Sequence, residues 1–294
     1  VKLVVPNGWK VSPDSQKLNP LNAGAKENFI FDVHPPKGNS TGKFSSIVTE
    51  GDQSFRMKLT EIDYPHISKQ YLLEPNESKG VKINFETKVK KIAYLKGAGD
   101  KVAQSIRNIG IAVTEFDVDD LQLERISEFP TLVVGIRAFN VHKELTFKNK
   151  VLWEYVNRGG TIIVQYNTSR GLDSSIIAPY PINLSRDRVT DEASRVKLLI
   201  PGHPILNTPN KISSIDFEGW VQERGLYFAN NWDSHYSALL SMNDFGESPK
   251  KGSLLVANYG KGKFIFTGLS FFRELPAGVP GAFRLFANLI SYGQ

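Results

Sequence analysis

The sequence predicts an α/β protein: a parallel sheet covered on both faces, preceded by a small all-β sandwich. From about Lys88 onward, near-continuous apolar runs alternate with segments of helical spacing, the pattern of strands buried on both faces. Before that point the apolar runs are short and separated by Pro, Gly, Asn and Asp clusters such as Asn7-Gly8 and Pro35-Pro36-Lys37-Gly38, at the spacing of a sandwich. A length of 294 residues with 40% hydrophobic composition suffices for two cores, which we place at residues 1–87 and 88–294.

In the first domain, strands are predicted at Lys2–Val5, Asn28–Val33, Phe44–Thr49, Tyr71–Leu73 and Val81–Phe85, with Trp9 as a core plug. In the second, the apolar runs Lys91–Leu95, Ile111–Phe116, Thr131–Val134 and Thr161–Gln165 predict four strands. Helical spacing at Asp100–Asn108, Leu121–Ile126 and Phe147–Val156 predicts the helices between them. Beyond Gly171 the chain reads as loop through about Pro209. It returns with strands at Ser253–Ala257 and Lys263–Thr267 and a closing helix over Val279–Ser291.

Composition excludes several functions. The net charge of +6 is scattered, with Lys88, Lys90 and Lys91 the densest cluster, which is a solvated surface and not a nucleic-acid stripe. No apolar run reaches the ~20 residues of a membrane span. The absence of cysteine removes disulfides, thiolate metal sites and thiol nucleophiles. The five histidines are widely spaced, without a ligand pair, so neither a metal nor a cofactor is expected. A start at Val1, inside an apolar stretch, reads as a cut through a longer protein.

Candidate site residues follow from the sheet. Gly97-Ala98-Gly99-Asp100 after the first strand imitates a dinucleotide fingerprint, but Val102 stands at the third glycine position, so it reads as a tight turn. Ligands in open parallel sheets lie beyond the carboxyl ends of the strands. Gly97, Gly99, Arg137, Asn140, Gln165, Tyr166 and Asn167 fall at or just after such ends. The later loops add Arg186, Arg188, Glu223, Arg224, Trp232 and Arg273. Amides, arginine forks and aromatic faces suit a sugar or a carboxylate. The same Arg186-Asp187-Arg188 and Arg273-Glu274 runs also read as ion-paired struts.

Four blocks carry a family resemblance: Gly159-Gly160-Thr161-Ile162-Ile163-Val164, Gly202-His203-Pro204-Ile205-Leu206, Asp216-Phe217-Glu218-Gly219-Trp220 and Tyr259-Gly260-Lys261-Gly262-Lys263. With them the α/β part resembles the flavodoxin-like sheet of the class I glutamine-amidotransferase-like superfamily, in its ThuA-like branch. The blocks Gly135–Asn140, Val164–Thr168, Trp220–Phe228 and Gly268–Pro276 further resemble the C-terminal region of bacterial PIG-L (LmbE-type) deacetylase proteins. There an immunoglobulin-like sandwich, similar to residues 1–87, sits between the deacetylase and amidotransferase-like parts. That resemblance implies an upstream deacetylase domain acting on N-acetylated sugars, and an extracytoplasmic setting. The His-Pro-Asp-Asp zinc motif of that enzyme is absent here: Pro35-Pro36 follow His34, and Pro204-Ile205 follow His203.

A glutaminase needs a cysteine on the elbow after the fourth strand. The positions available are Gln165, Tyr166 and Asn167. The expectation is therefore a non-catalytic accessory region that binds carbohydrate or positions substrate. One alternative is a hydrolase using Glu223 or Asp216 with Arg137 or Arg224. Another is an oligomerisation module built on Trp220, Tyr227, Phe228 and Trp232.

Overall fold

The computed structural model describes residues 1–22 and 24–294, which form two compact units, Val1–Asn84 and Phe85–Gln294. The first unit contains β1 (Lys2–Val4), β2 (Lys10–Ser12), β3 (Asp32–His34), β4 (Ser40–Glu50), β5 (Gln53–Phe55), β6 (Met57–Ile62), β7 (Gln70–Pro75) and β8 (Glu77–Lys82). The long β4 is its spine and pairs antiparallel with β1, β8 and β5, while β2–β3 and β6–β7 form separate antiparallel pairs. Trp9 is half-buried, meets the Phe44 ring edge-on at 5.1 Å and donates to Ser40 Oγ at 3.0 Å.

A two-layer sandwich buries its inner faces. Among the described residues of 1–84, none is buried. The period-two alternation of β6 and β7 places Met57, Leu59, Tyr71 and Leu73 on one face, each more than half exposed.

The second unit opens with β9 (Lys91–Leu95), α1 (Val102–Asn108), β10 (Ala112–Phe116), α2 (Leu123–Ile126), β11 (Thr131–Val134), α3 (Ala138–Val141), α4 (Leu145–Asn157) and β12 (Thr161–Val164). Seven short strands follow: β13 (Ile182–Leu184), β14 (Arg188–Val189), β15 (Lys197–Leu198), β16 (Gly225–Leu226), β17 (Ala229–Trp232), β18 (Ser237–Ala238) and β19 (Leu240–Ser241). The chain closes with β20 (Leu254–Tyr259), β21 (Gly262–Thr267), α5 (Phe271–Glu274) and α6 (Pro280–Ser291).

The main sheet has the order β10-β9-β11-β12-β21-β20-β18. The first five strands are parallel, whereas β20 is reversed and pairs antiparallel with both β21 and β18. The reversal at β20–β21 follows from the turn Gly260-Lys261, which is too short for a crossover. Strands β11 and β12 are buried throughout because both sheet faces are covered. Leu152, Tyr155 and Val156 of α4 share one core with Ile162, Val164, Phe264 and Phe266. Thr131 and Thr161 hold polar side chains at strand starts by donating to the carbonyls of Ile290 and Tyr292, both at 2.7 Å. Among the described residues, no helix is long and apolar enough to cross a membrane.

Candidate functional site

Strand order reverses between β9 and β11, so the crevice beyond their carboxyl ends is where an open parallel sheet takes ligands. Here backbone closes it. Gly97 lies so near the next strand end that a Cβ on it would stand 2.2 Å from the Ile136 carbonyl oxygen. Ala98 N donates to that same oxygen at 2.9 Å. Beneath the contact, Tyr94 donates its hydroxyl hydrogen to Asp100 (2.7 Å), Gln165 Nε2 donates to the Tyr94 oxygen (3.1 Å), and Val102 N donates to Asp100 (2.8 Å). Burial and the Asp100 charge push the Tyr94 phenol well above its ordinary value, so it stays a donor.

Several of the expected contact residues are engaged within the protein. Gly97 serves close backbone approach, and Gly99 supplies the turn with φ 95°. Asn140 clamps Thr168, accepting from its N (2.8 Å) and donating to its O (3.0 Å). Asn167 accepts from Phe139 N (3.1 Å) and donates to Gln165 O (3.0 Å). Gln165 is buried and spent on Tyr94 and Val134. These amides fasten the βα loops to one another, because each loop end exposes backbone groups that need partners.

What the rim offers lies around Tyr166. Arg137 N donates to Tyr166 O at 2.8 Å. The Tyr166 ring is 8% exposed, stacks on Tyr227 (6.2 Å, 10° between planes) and packs on Phe272 at 5.0 Å. Arg273 covers Phe272 at 4.8 Å and donates Nε to Glu223 at 3.0 Å; its fork also reaches Gln222 Oε1. Arg188 donates to the other Glu223 oxygen at 2.6 Å. Burial raises the Tyr166 pKa, and Arg137 and Arg273 oppose that rise. Arg137 is exposed, and among the described residues its guanidinium has no hydrogen-bond or ion-pair partner. Among the described residues, the non-glycine residues with left-handed backbone are Arg137 (φ 53°), Gln222 (φ 67°) and Tyr227 (φ 52°), and all of them belong to this cluster. Each such conformation costs about 1–3 kcal/mol and gathers where function requires it.

The other candidates lie apart or serve as struts. Glu223 is 2% exposed between two arginines, so it is an anchored counter-ion and not a free acid. Asp216 is held by Arg284 Nε at 2.7 Å and accepts from Ser213 N at 2.8 Å. Arg224 is buried on the opposite side of its segment and donates to the Ser194 and Phe217 carbonyls. Trp232 sits in the β13–β17 pair beside Asn183 and Asn231, lining a separate hollow of about 190 Å³. Arg186 is exposed on a loop and has no hydrogen bond or ion pair among the described residues.

Of the later histidines, His203 Nδ1 accepts from Ile205 N, and His235 Nδ1 contacts Asp233 at 2.5 Å. No group of three or more metal-ligating side chains occurs among the described residues. Sequence reasoning missed Phe272 as a floor of the rim. An aromatic beside an arginine carries no signal of which ring it covers.

No family model and no curated protein matches the chain. Among solved structures it is similar to the cytoplasmic protein STM3548 from Salmonella typhimurium, at 12% identity over 86% of this chain and 95% of that one, with a TM-score of 0.46. A GMP synthase-like protein from Thermoplasma acidophilum gives 12% identity over 70% of this chain and 94% of its own, with a TM-score of 0.46. A cold-adapted β-galactosidase from Rahnella sp. R3 gives 14% over 68% and 31%, with a TM-score of 0.40. Likeness at this distance bears on neither ligand nor activity.

Proposed function

We propose that this chain is a non-catalytic accessory region of a PIG-L-type deacetylase-like protein, in which the rim around Tyr166 binds carbohydrate and positions it for an upstream deacetylase domain. On this reading the second unit is a flavodoxin-like, class I glutamine-amidotransferase-like domain of the ThuA-like branch. The first is a reduced relative of an immunoglobulin-like sandwich, and the setting is extracytoplasmic. The sequence blocks named above support the family assignment.

The observation that carries the functional reading is the state of the elbow. Where a nucleophile would stand, Tyr166 is packed between Tyr227 and Phe272. The nearby carboxylate, Glu223, is neutralised by Arg188 and Arg273. What remains free is a guanidinium, Arg137, beside partly exposed aromatic faces. Rings cover the C–H faces of a sugar, and a planar fork donates to its oxygens.

The test is calorimetric titration of the 294-residue chain with an N-acetylated hexosamine oligomer. Saturable binding without turnover is expected, weakened about tenfold or more by Arg137→Ala. Hydrolysis of glutamine or of the acetylated sugar that disappears with Tyr166→Phe would overturn the reading.

A further inference from the structure

On the other side of the 222–225 segment lies a second concavity, a cleft of about 480 Å³ within the range of small-ligand sites. Phe217 and Trp220 form its apolar wall, Arg224 lies in its lining, and Glu192, Arg195 and Glu218 stand exposed at its rim. Arg224 is 4% exposed. Its Nε and one terminal nitrogen donate to Ser194 O at 3.0 and 2.8 Å, and the other terminal nitrogen donates to Phe217 O. The guanidinium stands 5.6 Å from the Trp220 ring centroid and 5.9 Å from that of Phe217.

What is missing is a direct ion pair. Among the described residues, no carboxylate lies within ion-pair distance of Arg224. The ion pairs of this region go instead to Arg188, Arg273 and Arg284. Arginine does not shed its proton, and a buried cation without an anion costs several kcal/mol. The acids that act on it at longer range are Glu274, which burial keeps largely protonated at neutral pH, and after it Asp191 and Glu192. Three of the five guanidinium N–H groups are committed to carbonyls, which leaves two for a further acceptor. A carboxylate fits that fork. The two rim glutamates repel a polyanion such as phosphate and favour a ligand that also carries a positive group.

We propose that this cleft binds a zwitterionic amino acid with an aromatic or apolar side chain. Its carboxylate would lie on Arg224, its body against Phe217 and Trp220, and its ammonium toward Glu192 and Glu218. The site is independent of the Tyr166 rim.

Titration of the full chain with L-phenylalanine, followed by calorimetry and ligand-observed NMR, tests it. Saturable binding is expected, at least about tenfold tighter than phenethylamine, which lacks the carboxylate, or 3-phenylpropanoate, which lacks the ammonium. Arg224→Lys is expected to remove binding. The exposed pair Glu192→Gln/Glu218→Gln, which leaves the buried scaffold intact, is expected to weaken phenylalanine to the level of 3-phenylpropanoate. No saturation up to about 10 mM, binding of phenethylamine equal to that of phenylalanine, or indifference to the glutamate pair would each overturn the proposal.

Discussion

Arg137 holds a left-handed backbone (φ 53°) that glycine adopts without steric cost, and its guanidinium has no hydrogen-bond or ion-pair partner among the described residues. On the proposed function, stability and ligand binding therefore pull in opposite directions at this position. Arg137→Gly is expected to raise unfolding free energy by about 0.5–1 kcal/mol in denaturant titrations while weakening the proposed rim binding about tenfold or more. Glu274 is the complementary case, a residue whose charge the fold rejects. It is fully buried, one oxygen accepts from Val221 N at 3.0 Å, the other has no hydrogen-bond partner, and its pKa is pushed up from 4.5 to about 8. The folded state thus keeps a proton that the unfolded chain releases. Stability from this group is full below pH 4.5 and declines as pH rises toward 8. Glu274→Gln is expected to remove that decline, so its advantage over the parent grows to on the order of 3–5 kcal/mol at pH 9. Equal pH slopes for the two proteins would contradict this.

At the scale of elements, the junction of β9 and β11 is a backbone-to-backbone contact. Gly97→Ala puts a methyl 2.2 Å from the Ile136 oxygen, with no flexible side chain to yield. A loss of about 1–3 kcal/mol is expected by thermal unfolding. The attachment of α6 depends on Asn288, whose amide accepts from Asn210 N and Nδ2 (both 2.9 Å) and donates to Ile205 O (2.7 Å) and Asn210 O (2.6 Å). Asn288→Leu keeps the branched shape but orphans several buried groups, and about 3–5 kcal/mol of destabilisation is expected. The elements visible in the sequence are those whose pattern is self-contained. Thr131–Val134 and Thr161–Val164 are continuous apolar runs because both faces are covered, and α4 spans enough turns to show its period. In the pairs β13–β17, β14–β16 and β15–β19, the first strands fall in the stretch that reads as loop in the sequence and their partners are not predicted as strands, since strands of two to four residues joined across long separations carry no period. The candidate site divides in the same way. Arg137, Tyr166, Glu223 and Arg273 are legible as polar or aromatic residues at strand ends or in the later loops. Whether an amide such as Asn140 or Gln165 faces a ligand or clamps the next loop depends on tertiary geometry that spacing does not encode.

For the whole molecule, the apolar interior lies in residues 85–294, while the described residues of 1–84 include none that is buried. A chain of residues 85–294 is therefore expected to unfold cooperatively at a midpoint within about 2–4 °C of the main transition of the full protein. Residues 1–84 alone are expected to give a broad transition and to bind a hydrophobic dye through the face of Met57, Leu59, Tyr71 and Leu73. Calorimetry of the three chains checks both. The packed elbow has a last consequence, for engineering. Tyr166→Cys would install a thiol, yet the imidazoles of this unit are committed elsewhere: His142 to Lys96 O, His203 to Ile205 N and His235 to Asp233. Amide cleavage by that thiol would require a relocated base and an emptied aromatic stack at the same time, so the single substitution is expected to yield none.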